Sequence, residues 1–126
     1  MSLLKFDPAT YGIILETKIK NRFAEIAHLV LDTGSTYVMI PWKLAAATHL
    51  NIKQAQTIRL TSTSTLETVP KVVIPEMEVL GKKVKNVEAI VKDLPPEAPA
   101  DGLLGLSFLK HFKMTLDFKK GLLELI

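Results

Sequence analysis

Cysteine is absent from this chain of 126 residues, and its absence removes several kinds of chemistry at once. Without thiols there can be no disulfide, no thiolate metal site and no cysteine nucleophile. No apolar run approaches the roughly 18 residues that a membrane-spanning helix needs. Residues 1–11 also lack the basic segment and apolar core of a signal peptide. From these absences we expect a cytoplasmic protein without membrane contact.

Aromatic residues are scarce as well, at 6% of the chain, although the net charge is +3. Lysines cluster at residues 82–85 and 119–120, and no aromatic residues alternate with them. Proteins that grip nucleic acid combine basic grooves with aromatic side chains on which bases stack. We therefore interpret the lysine runs as solvated hairpin tips and expect no nucleic-acid partner.

Several other chemistries leave no pattern in the sequence. The three histidines, His28, His49 and His111, lie far apart and match no metal-ligand spacing. No serine stands in a nucleophile elbow, and there is no glycine-rich phosphate loop of either common type. We expect neither a metal site nor a serine hydrolase nor a nucleotide-binding protein.

What the chain does contain is a strand-like apolar stretch, residues 29–40, that is interrupted by a short polar turn. Asp32 stands in this turn, although a carboxylate is seldom buried unless it is hydrogen-bonded or paired. Gly34 permits a sharp bend, and the hydroxyls of Thr33 and Ser35 offer hydrogen bonds. The same pattern also fits an Asx turn between two strands, and such a triplet arises by chance in roughly one chain in twenty of this length.

A second motif late in the chain makes the Asp32 motif more significant than it is alone. Leu103, Leu104 and Gly105 precede a predicted short helix at residues 106–112; alone, they indicate a core strand and a helix start. Together the two motifs resemble the retropepsin-like aspartic proteases. Members of this family carry one Asp-Thr/Ser-Gly per chain and an apolar-apolar-Gly before a late helix. The resemblance extends from about residue 13 to the C-terminus.

The remaining pattern consists of many short strands with one or two short helices. Strands are predicted at residues 11–20, 23–31, 36–40, 56–61, 66–74, 77–80, 84–91, 113–118 and 122–126, and helices at 41–50 and 106–112. This favours a closed, mainly antiparallel β-barrel, as the resemblance implies. The length suits a single domain, residues 1–126, in which residues 1–11 would form an extended N-terminal arm.

The resemblance implies that Asp32 is the catalytic carboxyl of an aspartic endopeptidase. Two carboxyl groups sharing one proton can activate a water and protonate the substrate, because one acts as base while the other acts as acid. No other aspartate stands in an Asp-Thr/Ser-Gly triplet, so the second carboxyl would be Asp32 of another copy. The implied enzyme is a homodimer that acts on peptide or protein substrates without a cofactor.

Supporting roles follow from the same resemblance for Thr33, Gly34, Ser35, Leu103, Leu104 and Gly105. Thr33 would hydrogen-bond across the two-fold axis, Gly34 would present its N–H to the carboxylate, and Ser35 would support the carboxylate from outside. The two leucines would pass beneath the Asp32 loop, and Gly105 would permit their close packing. For Asp101, a role in stabilising a turn is favoured over a role in lining a substrate pocket.

The hairpin of residues 56–74 would be the flap that covers the substrate, with its tip at Ser62, Thr63, Ser64 and Thr65. Family flaps often carry glycine near the tip, whereas this tip has none. Its β-branched threonines resist left-handed turns, while its hydroxyls could bond the substrate backbone. The alternative is therefore a catalytically inactive dimer of the same fold that binds peptide segments without cleaving them. A third, less favoured reading is a barrel subunit in which Asp32 is merely structural.

Overall fold

The architecture is that of a computed structural model, which describes residues 2–61 and 66–126. Strands and two short helices follow one another along this part of the chain: β1 (Leu3–Lys5), β2 (Ile14–Lys20), β3 (Ala24–Leu31), β4 (Val38–Ile40), α1 (Trp42–Ala47), β5 (Gln56–Thr61), β6 (Leu66–Val79), β7 (Lys82–Val91), β8 (Gly102–Leu104), α2 (Leu106–Leu109), β9 (Met114–Asp117) and β10 (Leu122–Leu125).

Six of these strands close into a barrel in the order β2-β3-β8-β4-β7-β6, because β6 pairs back onto β2. Strand β5 attaches to β6 outside the ring. Four of the six neighbouring pairs are antiparallel, while β3–β8 and β4–β7 are parallel. The prediction of a closed, mainly antiparallel barrel with two short helices is therefore confirmed.

Alternating burial along the strands shows which side chains fill the barrel. In β2 the buried residues Leu15, Thr17 and Ile19 alternate with exposed ones, as expected for a strand with one face toward the core. Phe108 of α2 is fully buried in the same core. Helix α2, which carries Phe108, packs against β4 and β7.

Strand β6 differs from the prediction, because residues 66–74 and 77–80 belong to one strand rather than two. Pro75 suggested a break, since proline cannot donate to a ladder. In the structure Pro75 falls opposite Asn86, which has a φ of 58°, and the register resumes at Glu76–Lys85. Strand β6 therefore continues through the proline in one register. It pairs with β5 near its start and with β2 near its end.

Both helices are shorter than predicted. Helix α1 lies within the predicted range 41–50 and is followed by His49, whose positive φ of 60° ends the helical geometry. Helix α2 buries Ser107, Phe108 and Leu109, whereas Leu106 points toward solvent. No helix in the described ranges is long and apolar enough to cross a membrane.

A second sheet, in the order β1-β10-β9, joins the two ends of the chain. Leu4 pairs with Leu123, and Leu123 is also in register with Leu116. Strand β1 was not predicted, because three residues are too few to show a hydrophobic period. The sheet brings the N-terminal residues alongside the C-terminal strand, next to the barrel end that carries Asp32.

Candidate active site

Asp32 follows directly after β3, and its backbone is held by a neighbouring strand. Its N–H donates to the Leu104 carbonyl oxygen at 3.0 Å. The preceding residue, Leu31, donates its N–H to Ile13 at 2.8 Å. Backbone hydrogen bonds therefore fix the main chain at Leu31 and Asp32, and Asp32 is half-buried.

The Asp32 carboxylate is bound by the loop that follows it. The Gly34 N–H donates to Oδ1 at 3.0 Å, and the Ser35 N–H donates to the Asp32 backbone carbonyl at 3.2 Å. A β-carbon on Gly34 would stand 3.3 Å from the same Oδ1, which is tighter than ordinary packing. A glycine at this position thus supplies a donor to the carboxylate without crowding it.

Thr33 and Ser35 have different surroundings. Thr33 is exposed at the tip of the loop. The Ser35 hydroxyl donates to the Tyr37 carbonyl oxygen at 2.7 Å, so its proton is engaged on the outgoing side of the loop. Its support of the carboxylate from outside remains a prediction, as does the bond of Thr33 across a two-fold axis.

The late motif lies beneath this loop. Strand β8 sits between β3 and β4, with Leu103 in register with both Val30 and Met39. Leu104 is fully buried and aligned with Leu31. The strand that leads into the Asp32 loop and the strand that leads out of it are both hydrogen-bonded to the same three-residue strand. The structure therefore brings the two sequence motifs together.

Gly105 and the start of α2 complete the base. A β-carbon on Gly105 would stand 2.3 Å from the Tyr37 carbonyl oxygen and 2.7 Å from that of Ser35. The next two N–H groups, of Leu106 and Ser107, donate to Ser35 and Thr36 at 2.8 and 2.9 Å. The outgoing half of the loop is thus fastened through its carbonyl groups.

A buried apolar cluster lies beside the loop, on the outer face of the barrel. Met39 lies between the core residues Val38 and Ile40 and therefore points the opposite way. A separate cluster forms there from Met39, Val69 and Ile90, with Tyr37, Ile58, Leu60, Leu94 and Leu103 packed against it. The arms of the predicted flap, β5 and the start of β6, supply part of this cluster, while its tip, residues 62–65, lies outside the described residues.

The family model for aspartyl proteases matches residues 16–108, a range that includes Asp32, β8 and the start of α2. The chain belongs to the aspartyl protease family. Among solved structures it is similar to a retropepsin-like aspartic protease from Rickettsia conorii, with a TM-score of 0.71 and 18% identity. That likeness covers 98% of this chain and 87% of the other and concerns the fold. No curated protein matches the chain.

In this aspartyl protease family member, two residues that the sequence analysis missed also shape the base. Ser107 is buried; its hydroxyl accepts the Val38 N–H at 2.9 Å and donates to the Glu88 carbonyl at 2.6 Å, so it joins β4 to β7. A β-carbon on Gly102 would stand 1.9 Å from the Met39 carbonyl oxygen. A lone polar residue among the apolar ones of α2 was the available signal for Ser107.

Asp101 anchors the start of β8. Its Oδ2 accepts the His28 N–H at 2.9 Å, while its own N–H donates to the His28 carbonyl at 2.8 Å. The Lys43 ammonium lies 3.9 Å from Oδ1. Asp101 also borders a groove of about 390 Å³ between Pro41 and the proline-rich loop of residues 94–100. It thus makes structural contacts and lines a surface groove at once.

Across residues 2–61 and 66–126, no three His, Asp or Glu side chains are grouped so that they could hold a metal ion.

Proposed function

We propose that this chain is an aspartic endopeptidase that hydrolyses extended peptides with a water activated between two Asp32 carboxyls, one from each chain of a homodimer. The observation that carries the proposal is the seating of Asp32. Its backbone is bonded to β8, and its Oδ1 accepts the Gly34 N–H, so the carboxylate is held rigidly at a strand end. A carboxyl held in this way and still partly exposed suits general acid–base chemistry.

The other aspartates support the requirement for a second copy, because each is engaged elsewhere. Their carboxylates accept backbone N–H groups: Asp7 from Ala9, Asp93 from Trp42, Asp101 from His28, and Asp117 from Lys119 and Lys120. A partner carboxyl would therefore come from Asp32 of another chain. A two-fold interface places identical loops face to face without any further sequence requirement.

The surface around the Asp32 loop is suited to receive that second copy. Thr33 borders a pocket of about 290 Å³ that residues near both chain ends also line, among them Phe6, Tyr11 and Phe118. Tyr11 is fully exposed and Phe118 is 65% exposed. Exposed aromatic side chains grouped around one loop are typical of an interaction surface. We infer that this face is the dimer interface and that Thr33 bonds to its counterpart there.

The chemistry of the paired carboxyls follows from their mutual repulsion. Two carboxyl groups about 3 Å apart cannot both ionise, because their negative charges would repel each other. The pair therefore holds one proton. The carboxylate takes a proton from the water while the water oxygen bonds to the peptide carbon. The protonated carboxyl donates its proton to the carbonyl oxygen. When the tetrahedral intermediate collapses, the C–N bond breaks and the nitrogen receives a proton from the pair. One hydroxyl of the intermediate gives its proton back to the pair, which again holds a single proton.

The apolar cluster beside the loop indicates the kind of substrate. An extended peptide would bind under the two flaps in β fashion, with its backbone hydrogen-bonded to them and to the tip hydroxyls of residues 62–65. Side chains near the scissile bond would lie against the partly exposed residues around the cluster, Tyr37, Leu60 and Leu103. Apolar residues flanking the cleaved bond are therefore the expected preference.

The test is cleavage of a mixed peptide library between about pH 3 and 7, which brackets the titration of a carboxyl pair. Wild type, Asp32→Asn and the control Asp117→Asn are compared at a concentration where the protein is dimeric. Cleavage between apolar residues by wild type and Asp117→Asn, but not by Asp32→Asn, supports the proposal. Equal cleavage by all three would indicate a contaminant, and no cleavage by a dimeric wild type would favour the peptide-binding alternative.

A further inference from the structure

The hairpin arms, residues 56–61 and 66–70, have an unusual attachment to the barrel. The register of β6 with β7 begins at Lys71–Ile90, so the arms pair with each other but extend past the last paired residues of β7. A two-stranded hairpin alone is only marginally stable in water. Side-chain contacts must therefore determine how closely the arms lie against the barrel.

Two kinds of side-chain contact, one apolar and one ionic, join the arms to the barrel in the described part of the chain. Val69 packs against Met39 and Ile90 in the apolar cluster. Beyond it, the Lys92 ammonium lies 2.7 Å from the Glu67 carboxylate and joins the arms to the residue that follows β7. The apolar contact is non-directional, whereas a short charged hydrogen bond sets a specific distance between its two ends.

We propose that the Lys92–Glu67 ion pair holds the hairpin arms against the apolar cluster of Met39, Val69 and Ile90, which makes both charged residues positioning residues for the bound peptide. The role in peptide binding rests on the proposed function, while the attachment of the arms does not. Both side chains are partly exposed, at 38% for Lys92 and 45% for Glu67, so salt weakens their attraction. The position of the arms therefore responds to ionic strength.

The chain contains its own probe for this attachment. Trp42 is its single tryptophan, and it lines a groove of about 270 Å³ together with Glu67, Val69 and Lys92. When the arms move away from the barrel, water and a small quencher reach the indole more readily. Acrylamide quenching of Trp42 fluorescence thus reports the attachment without any substrate.

The chain also offers a matched control. Lys71 of β6 and Glu88 of β7 form a second ion pair at 3.4 Å, which lies where the two strands are hydrogen-bonded along their backbones. Removing that charge pair with Glu88→Gln leaves the backbone ladder in place. The control variant should match wild type in both quenching and peptide binding.

The experiment compares wild type, Glu67→Gln, Lys92→Met, the swap Glu67→Lys with Lys92→Glu, and Glu88→Gln. In low salt we expect each single variant at the first pair to increase Trp42 quenching and to raise KM about two- to fivefold, with kcat nearly unchanged, given the usual strength of an exposed pair. The swap should recover both values. At about 1 M salt, where screening is strong, wild type should approach the single variants.

Unchanged quenching in Glu67→Gln and Lys92→Met would overturn the proposal, as would a swap that fails to recover. An equal effect of Glu88→Gln would also contradict it, because the location of the pair would then be irrelevant. If quenching changes as expected but wild type cleaves no peptide, the attachment stands and the proposed function falls. If wild type cleaves and KM does not move, the proposed function stands and the positioning role falls.

Discussion

Gly105 lies so close to Tyr37 that a β-carbon on the glycine would stand 2.3 Å from the tyrosine carbonyl oxygen. The obstacle is backbone, which cannot rotate away as a side chain could. This contact locks the end of β8 against the outgoing half of the Asp32 loop. The observed shape of the Asp32 loop therefore requires a residue without a β-carbon at position 105.

Replacing Gly105 with alanine should destabilise the protein by about 1–3 kcal/mol, because the loop must shift to admit the methyl group. The same change should reduce peptide cleavage more than its stability loss explains, since the loop holds the carboxylate. Urea unfolding measures the first effect and initial rates in buffer the second. Gly12→Ala is the control, because its β-carbon would meet only Val30 Cγ1 at 3.9 Å. A Gly105 variant as stable as that control would contradict the contact.

Ser107→Ala should cost about 1–3 kcal/mol in urea unfolding, because it leaves the buried Val38 N–H without its acceptor. The Glu88 carbonyl also loses a donor. Ser35→Ala provides the comparison: it removes one bond in a half-buried setting and should cost about 0.5–1.5 kcal/mol. If the two variants unfold at the same urea concentration, the junction of β4 and β7 does not depend on this hydroxyl.

Phe118→Asp should disrupt the proposed dimer while leaving the monomer folded, because it puts a charge into an apolar face. Sedimentation velocity should show a monomer, and circular dichroism should show unchanged β-sheet content. Phe23→Asp is the matched control, since Phe23 is also an exposed aromatic but stacks on His49. A dimer that survives Phe118→Asp, or that is lost equally with Phe23→Asp, would place the interface elsewhere.

Mixing wild type with Asp32→Asn tests directly whether two chains share one site. With equal amounts and free exchange of subunits, only about a quarter of the dimers would contain two wild-type chains. Activity should therefore fall to about a quarter of that of wild type alone at the same total concentration. A fall to one half would mean that each chain acts alone, which would exclude a site built from two Asp32 carboxyls.

Most strands were predictable from a local signal, because apolar residues alternate along them. The position of residues 103–105 beneath Asp32 came from the resemblance instead. Strand β6 was divided in error because Pro75 is a strand breaker in isolation. In the folded chain Pro75 lies opposite Asn86, whose positive φ of 58° is in another strand and leaves no pattern in the sequence near the proline.

The contacts that were missed are those in which one residue acts on a distant one. Ser107 and Gly102 bond or press against backbone in β4, and neither residue signals this through its neighbours in sequence. The hydrogen bond from the Ser35 hydroxyl to the Tyr37 carbonyl was likewise not anticipated, while the support of the carboxylate by Ser35 stays a prediction. Short side chains in loops have several partners within reach, and only the folded backbone selects among them.

The position of β8 between β3 and β4 also bears on when the site can exist during synthesis. A ribosome delivers Asp32 early, whereas β8 and α2 belong to the last part of the chain. Until that part emerges, the aspartate lies at the end of a strand with no partner on one side. Contacts so distant in sequence form late in folding. A nascent or truncated chain that ends before Gly102 would therefore carry the carboxyl without the base that holds it.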